Sequence, residues 1–357
     1  MKMKKILVVD LGNVMGGVEY YIETLSGMLR GRANLVSICV LPELAQRLRS
    51  LGVKVYLTPA FPRFKAIRFL LALSAILFIV VREQVQIVLV NGFLESVILI
   101  PARLLGCEAM YARHGPFEDD LYRWYKNPAR YFPRLLSRLC VRIASHVICV
   151  SEDTEKCVRK IVPGERTSVI PHWLAYIPPY NVPKKTLAPL VNLLYVGRLE
   201  RYKGLYLLLE ALQGIPDVRL TVVGDGSYRE ELERLAEGIN VRFEGFQSQP
   251  ARYYAEADIF VMPSLGPEGF GIVTMEAMAH SLPCLISDLD VHREITAAGK
   301  AAMLFRSGDV EDLRCKLSLL IEETALRSAY SQAGYRRVEQ AYNPDIALKS
   351  YEVAFGL

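Results

Sequence analysis

"DIFVMPSLGPEGFGIVTMEAMAHSLPCLISD", Asp258–Asp288, decides how this 357-residue chain is read. An apolar run (258–264) leads into a glycine-rich turn, then an apolar segment of helical length from Ile272, then a second apolar run (283–288). Short uncharged runs bounded by Gly, Pro and Ser predict strands buried on both faces, so the unit is strand, helix, strand. Two acids interrupt the pattern: Glu276 lies inside the apolar helix and Glu268 lies just before it. A carboxylate among Ile, Val, Met and Ala is costly to bury unless hydrogen-bond donors meet it, so both acids demand a partner.

The same alternation extends in both directions. "LVNLLYVG" (190–197), "RLTVVGDG" (219–226), "VRFEGF" (241–246) and "AAMLF" (301–305) complete one series. An earlier series runs through "KILVVD" (5–10), "LVSICVL" (35–41), "KVYLTP" (54–59), "IVLVNG" (87–92), "AMYARHG" (109–115) and "HVICVS" (146–151). The Pro-rich stretch 168–192 breaks the rhythm between them. The expected organisation is α/β throughout. Residues 1–175 form one doubly wound domain, 176–190 a linker and 191–342 a second doubly wound domain. The helix-like 343–357 is expected to pack back on the first domain. Length and a 52% hydrophobic content suffice for two cores. Ligands of such folds gather at the carboxyl ends of the strands, here in a cleft between domains.

Charge divides unevenly. Residues 1–175 hold 24 Lys/Arg against 14 Asp/Glu, and the remainder 19 against 24. A basic first half suits an anionic membrane, an anionic substrate or nucleic acid. The seven Cys, at 39, 107, 140, 149, 157, 284 and 315, show no zinc-type spacing and several lie in strand-like runs, which predicts reduced core thiols in a cytoplasmic protein. "MKMKKILVVDLGN" carries no signal-peptide pattern. The uncharged "FLLALSAILFIVV" (69–81) is too short to span a bilayer and is read as a helix covering the first sheet. Arg63, Lys65 and Arg68, interleaved with Phe61, Phe64 and Phe69, add the expectation of peripheral contact with anionic lipid through 61–69.

Four places share the chemistry of holding phosphates and hydroxyls. In "YVGRLERYKG" (195–204), Arg198 leaves a strand tip and Lys203 follows, a planar fork and a compact charge suited to a diphosphate. In "VVGDGSYREELERL" (222–235), a strand meets a turn at Gly224 and a helix start, where backbone N–H groups can face an anion. Gly269 and Gly271 flank Phe270 before the apolar helix, so the backbone there can approach a phosphate closely. Glu268 and Glu276 accept from hydroxyls, so the ligand that fits has phosphates in its middle and hydroxyls at both ends, a nucleotide sugar. In the first half, Gly16-Gly17 opens a helix after the first strand without making a G-x-G-x-x-G fingerprint, and His114 sits at a strand end.

These motifs, with "CVSE", "SVIPHW" and "VRFEGF" between them in order, resemble the family 4 retaining glycosyltransferases (group 1), along essentially the whole chain. The resemblance implies the GT-B architecture, two Rossmann-like domains facing a cleft. It implies that Arg198 and Lys203 bind and neutralise the donor diphosphate in place of a metal, and that Glu276 binds the ribose. Glu268 and the backbone of Gly269, Phe270 and Gly271 would hold the transferred sugar and phosphates. Gly16 and Gly17 would admit the donor phosphate or the acceptor, and His114 would touch the sugar near the reacting carbon. No metal and no cofactor beyond the nucleotide-sugar substrate is expected. The partners are that donor and a glycan or lipid-linked acceptor, not nucleic acid, at the inner face of the cytoplasmic membrane, in bacterial surface polysaccharide assembly.

Two places depart from the pattern. "IPHWL" stands where relatives often have an Asn-Gly turn. Asp288-x-Asp290 imitates a metal-binding pair of an unrelated transferase fold and is read as a decoy. The competing readings are a sugar-nucleotide epimerase, a non-catalytic nucleotide-sugar-binding partner subunit, and a nicotinamide dehydrogenase. The first wants more acid–base groups, the second is disfavoured by retention of every motif residue, and the third by the poor glycine fingerprint.

Overall fold

A computed structural model of the chain describes residues 3–12, 15–58, 65–92, 94–115, 138–181, 190–266 and 268–357, with the side chains of 65–72, 94 and 95 excepted. The chain forms two compact units that divide after His172. The terminal stretch Pro344–Leu357 belongs to the first unit, and Trp173–Asn343 makes up the second.

The first unit contains seven parallel strands: β1 (Lys5–Val9), β2 (Asn34–Cys39), β3 (Lys54–Leu57), β4 (Ile87–Val90), β5 (Glu108–Arg113), β6 (His146–Cys149) and β7 (Thr167–Val169). Their order is β3-β2-β1-β4-β5-β6-β7. Direction of winding reverses beside β1, which pairs with both β2 and β4. The inner strands are buried on both faces, as their uninterrupted Ile/Val/Leu content requires. Sequence reading gave six of these strands. It took 168 onward as the end of the domain, and the three residues of β7 are too few and too polar to announce an edge strand.

The uncharged run 69–81 lies in a longer helix, Lys65–Glu83. Ile76, Ile79 and Val80 join the core cluster that contains Val88 and Tyr111, so this helix covers the sheet. Phe78 and Val81, 58% and 66% exposed, point away from it. Residues 61–64, and the side chains of the basic and aromatic approach to this helix, lie outside the described residues. The final helix, Pro344–Phe355, is tied to the first unit by Tyr351, whose hydroxyl donates to that of Tyr21 at 2.9 Å.

The second unit has six parallel strands: β8 (Val191–Val196), β9 (Val218–Val223), β10 (Val241–Gly245), β11 (Ile259–Met262), β12 (Cys284–Ser287) and β13 (Met303–Phe305). Their order, β10-β9-β8-β11-β12-β13, reverses between β8 and β11. Both sheets are thus doubly wound with flanking helices. The loops after β1, β8 and β11, beside the reversals, carry Gly16-Gly17, the 198–203 turn and the 268–271 turn, as this topology favours, while His114 follows β5 and Gly224 follows β9, one strand further out.

Candidate active site

In the second unit, β8 delivers the first motif. Tyr195 is fully buried, and its hydroxyl donates to the Arg198 carbonyl at 3.0 Å, which fixes the turn and leaves the Arg198 side chain exposed. The Arg198 guanidinium donates to the Tyr202 hydroxyl at 2.6 Å and lies 5.9 Å from that ring's centroid. Lys203 Nζ lies 5.5 Å from the same ring. Tyr202, 4% exposed, is therefore a fixed platform bearing both cations.

Lys203 is also met by an acid. Its Nζ is 2.6 Å from Glu268 Oε1, and the Ser264 hydroxyl donates to the same oxygen at 2.6 Å. The pair is nearly enclosed, with 12% of the Lys203 and 8% of the Glu268 side chain exposed. Burial alone would raise the Glu268 carboxyl. Lys203, then His292 and the Ser264 hydroxyl, outweigh it and hold the group below the usual carboxylate value. The sequence assigned these two residues to different parts of a ligand; the fold joins them. Arg198, by contrast, meets a neutral phenol.

Beyond Glu268, Phe270 buries its ring against Tyr342, with centroids 5.5 Å apart, so only its backbone remains for a ligand. Gly271 adopts φ +88 and caps the helix Ile272–Ala279. It brings no side-chain oxygen to the first amides of the helix, and the first turn carries no acid. Such a helix start favours an anion. Two further polar atoms surround this turn. His292 Nε2 and Thr274 Oγ1 would lie 3.8 and 3.7 Å from a Cβ built on Gly271, and both are buried without a hydrogen-bond partner among the described residues.

Glu276 has a partner that the sequence did not reveal. The Tyr254 hydroxyl, from the helix Ala251–Glu256, donates to its Oε2 at 2.8 Å. Tyr254 stacks on His280 with centroids 5.0 Å apart, and His280 Nδ1 lies 2.8 Å from the Glu276 carbonyl. Burial pushes the Glu276 carboxyl up, and the Tyr254 hydroxyl opposes that. Among the described residues no cation meets Glu276, and no partner is found for Oε1.

Gly224 is needed for packing. Its φ is +139, and a Cβ there would lie 1.9 Å from the Gly197 carbonyl oxygen. The sequence offered this turn's amides to an anion, but the Gly224 N–H donates to the Gly245 carbonyl at 2.8 Å. Asp288 forks Arg293 at 2.5 and 2.6 Å, and Asp290 lies 3.8 Å from the same guanidinium, so the Asp-x-Asp pair is engaged by an arginine.

In the first unit, Gly16 caps and Gly17 begins the helix Gly17–Met28. Glu19 folds back so that Gly16 N–H donates to its Oε2 at 2.8 Å, while Oε1 would lie 2.5 Å from a Cβ on Gly12. Gly12 N–H donates to Asp10 at 3.2 Å. The loop beside Gly16 and Gly17 therefore carries carboxylates, and burial raises that of Glu19. His114 follows β5. Its Nε2 is 3.3 Å from Asn91 Oδ1 and its Nδ1 3.5 Å from His172 Nε2. Burial, then His172 and Arg113, keeps His114 well below the usual imidazole value. His172 belongs to the "IPHWL" stretch that stands where relatives often have an Asn-Gly turn. Burial lowers it to about 4.

Known families match both units. Residues 189–337 match "Glycosyl transferases group 1" and residues 15–174 match "Glycosyltransferase Family 4". The chain belongs to the family 4, group 1 glycosyltransferases. It is 36% identical over 158 residues to the phosphatidyl-myo-inositol mannosyltransferase of Mycobacterium leprae, covering 42% of each chain. It is 35% identical over 157 residues to the sulfoquinovosyl transferase SQD2 of Arabidopsis thaliana, covering 43% of this chain and 30% of the plant protein. The chain spans less than half the length of these curated relatives. The crystal structure of Anabaena HepE in complex with UDP superposes with a TM-score of 0.81 at 20% identity, covering 99% of this chain and 100% of that one. The fold is GT-B.

Proposed function

We propose that the protein transfers a sugar, with retention and without a metal, from a nucleotide-diphosphate sugar to a glycan or lipid-linked acceptor. The observation that carries this reading is the pair of cations, Arg198 and Lys203, fixed on Tyr202 in a unit whose helix Ile272–Ala279 starts without a side-chain cap, with Glu268 and Glu276 on either side of that start. A diphosphate is met by the two cations and the helix start. These groups stabilise the charge that develops on the departing diphosphate, the main catalytic task when a sugar leaves through an oxocarbenium-like state. Glu276, with Oε2 held by Tyr254, offers Oε1 to a ribose hydroxyl. Glu268, ionised beside Lys203, accepts from hydroxyls of the transferred sugar. His114 touches the sugar.

Glu19 refines the role of Gly16 and Gly17. A carboxylate at that loop repels phosphate and accepts from a hydroxyl, which favours the acceptor over the donor diphosphate there. The UDP in the Anabaena structure and the phosphatidylinositol acceptor named for the mycobacterial relative support a nucleotide-sugar donor and a lipid-linked acceptor. The basic first half and the exposed Phe78 and Val81 support peripheral contact with an anionic membrane, where a surface polysaccharide is assembled. Among the described residues no helix is long and apolar enough to cross a membrane.

A thermal-shift screen of UDP, GDP and ADP sugars in the presence of EDTA tests the reading. One class of nucleotide sugar raises the melting temperature of the wild type, and Arg198→Ala removes the rise. A shift that needs a divalent cation, or none with any nucleotide sugar, overturns it.

A further inference from the structure

The functional reading uses His114 but leaves the polar residues packed around it without a role. Asn91, His172 and Tyr21, 5%, 6% and 3% exposed, surround His114 at the carboxyl end of β5. The hydrogen-bond directions in this cage follow from which groups can donate. The Val9 carbonyl only accepts, so the Asn91 atom 3.2 Å from it is the amide nitrogen. The amide oxygen then faces His114 Nε2 at 3.3 Å. That oxygen also only accepts, so the proton of His114 sits on Nε2. A neutral imidazole has one proton, so Nδ1 keeps its lone pair. The group facing Nδ1 is His172 Nε2, at 3.5 Å, which must be the donor.

Packing reinforces this order. The two imidazoles lie within 19° of parallel with centroids 5.4 Å apart, and the Tyr21 ring stands steeply to both, at 67° to His114 with centroids 4.5 Å apart and at 81° to His172 with centroids 5.6 Å apart. Tyr21 is itself bound to Tyr351 of the last helix. Among the described residues, a proton added to His114 would meet Arg113 of β5 and His172, with the neutral phenol of Tyr21 beside both imidazoles and bound to that of Tyr351.

We infer that Asn91 and His172 are positioning residues that lock His114 as one neutral tautomer, protonated at Nε2, so that it serves a ligand as a hydrogen-bond acceptor at Nδ1. The ligand group it suits is a hydroxyl. The contact from His172 lies at the outer limit of a hydrogen bond, so a hydroxyl in better geometry displaces it at little cost. His114 is then neither a general acid nor a cation for phosphate. The role toward a hydroxyl rests on the nucleotide-sugar reading, whereas the tautomer does not.

Long-range proton–nitrogen NMR of the full ¹⁵N-labelled chain tests the lock without any ligand, with His114 assigned by His114→Gln. The wild type shows His114 protonated at Nε2 only, and it stays neutral as pH falls below the ordinary imidazole value. Asn91→Ala gives a mixture of tautomers. Asn91→Asp, of the same shape, puts a carboxylate against Nε2–H and raises the His114 titration point by at least about one pH unit. With the nucleotide sugar found by thermal shift, Asn91→Ala weakens binding about tenfold while the bare nucleoside diphosphate binds as before. A wild-type His114 protonated at Nδ1, or one that charges near its ordinary value, overturns the inference, and so does an Asn91→Ala spectrum equal to wild type. If no nucleotide sugar binds, the functional reading fails while the NMR result still decides the tautomer.

Discussion

Lys203 and Glu268 stand 65 positions apart and meet at 2.6 Å in a nearly closed space. Removing the cation leaves a carboxylate that burial disfavours, so Lys203→Met lowers stability by about 3 kcal/mol at neutral pH, measured by urea unfolding. The pH dependence has a definite sign. Glu268 titrates below its ordinary value when folded, so its contribution is complete above the ordinary carboxylate value and is lost as pH falls through the lowered one. The deficit of Lys203→Met therefore shrinks toward acid, where Glu268 takes up a proton in both proteins. A deficit that grows toward acid contradicts the pairing. The two acids were visible in the sequence because charges inside an apolar run stand out. Their partners were not. Tyr254 is an ordinary aromatic in "ARYYAEAD", and nothing local to it or to Lys203 says which acid it will reach.

At the scale of elements, the loops of the second unit are held by close backbone approach. Gly204 has φ +69 and lies where a Cβ would be 1.9 Å from the Pro263 carbonyl oxygen, so the turn after β8 locks against the turn after β11. Gly214 has φ +80 with nothing within 4 Å. Alanine at Gly214 meets only the left-handed backbone strain, about 1 kcal/mol. Alanine at Gly204 must also move the turns that carry Lys203 and Glu268. Gly204→Ala is therefore at least about 2 kcal/mol more destabilising than Gly214→Ala in thermal unfolding, and weakens nucleotide-sugar binding where Gly214→Ala does not. Equal losses would show that the turns are not coupled. Strands with uninterrupted apolar content were legible because burial on both faces dictates composition. The edge strand β7 was not, because three half-buried residues carry no such signature.

For the molecule as a whole, the alternation of strands and helices and the order of motifs were enough to give two doubly wound sheets. Their reversal points lie beside the loops after β1, β8 and β11, which carry most of the motif residues. What composition adds is the uneven charge, 24 basic against 14 acidic residues in the first 175. Together with Phe78 and Val81 exposed on a helix of the first unit, this predicts binding to vesicles rich in phosphatidylglycerol but not to neutral ones. In sedimentation assays the binding falls steeply with salt, because the attraction is screened over about 8 Å at physiological ionic strength. Phe78→Glu with Val81→Glu weakens it. Equal sedimentation with neutral vesicles, or no effect of the double substitution, contradicts the membrane contact.

The central claim is that the second unit holds a nucleotide through the acid buried in its apolar helix. Calorimetric titration with the nucleoside diphosphate of the preferred donor, and with the counterpart lacking both ribose hydroxyls, tests this most directly. The account predicts that the wild type binds the dideoxy form at least about tenfold more weakly, the scale of a hydrogen bond to a charged group. It also predicts that Glu276→Ala binds the ribose form weakly and no longer distinguishes the two. Equal affinity of the wild type for both, or a Glu276→Ala protein that still discriminates, would make Glu276 a structural acid serving Tyr254 alone and would contradict the account.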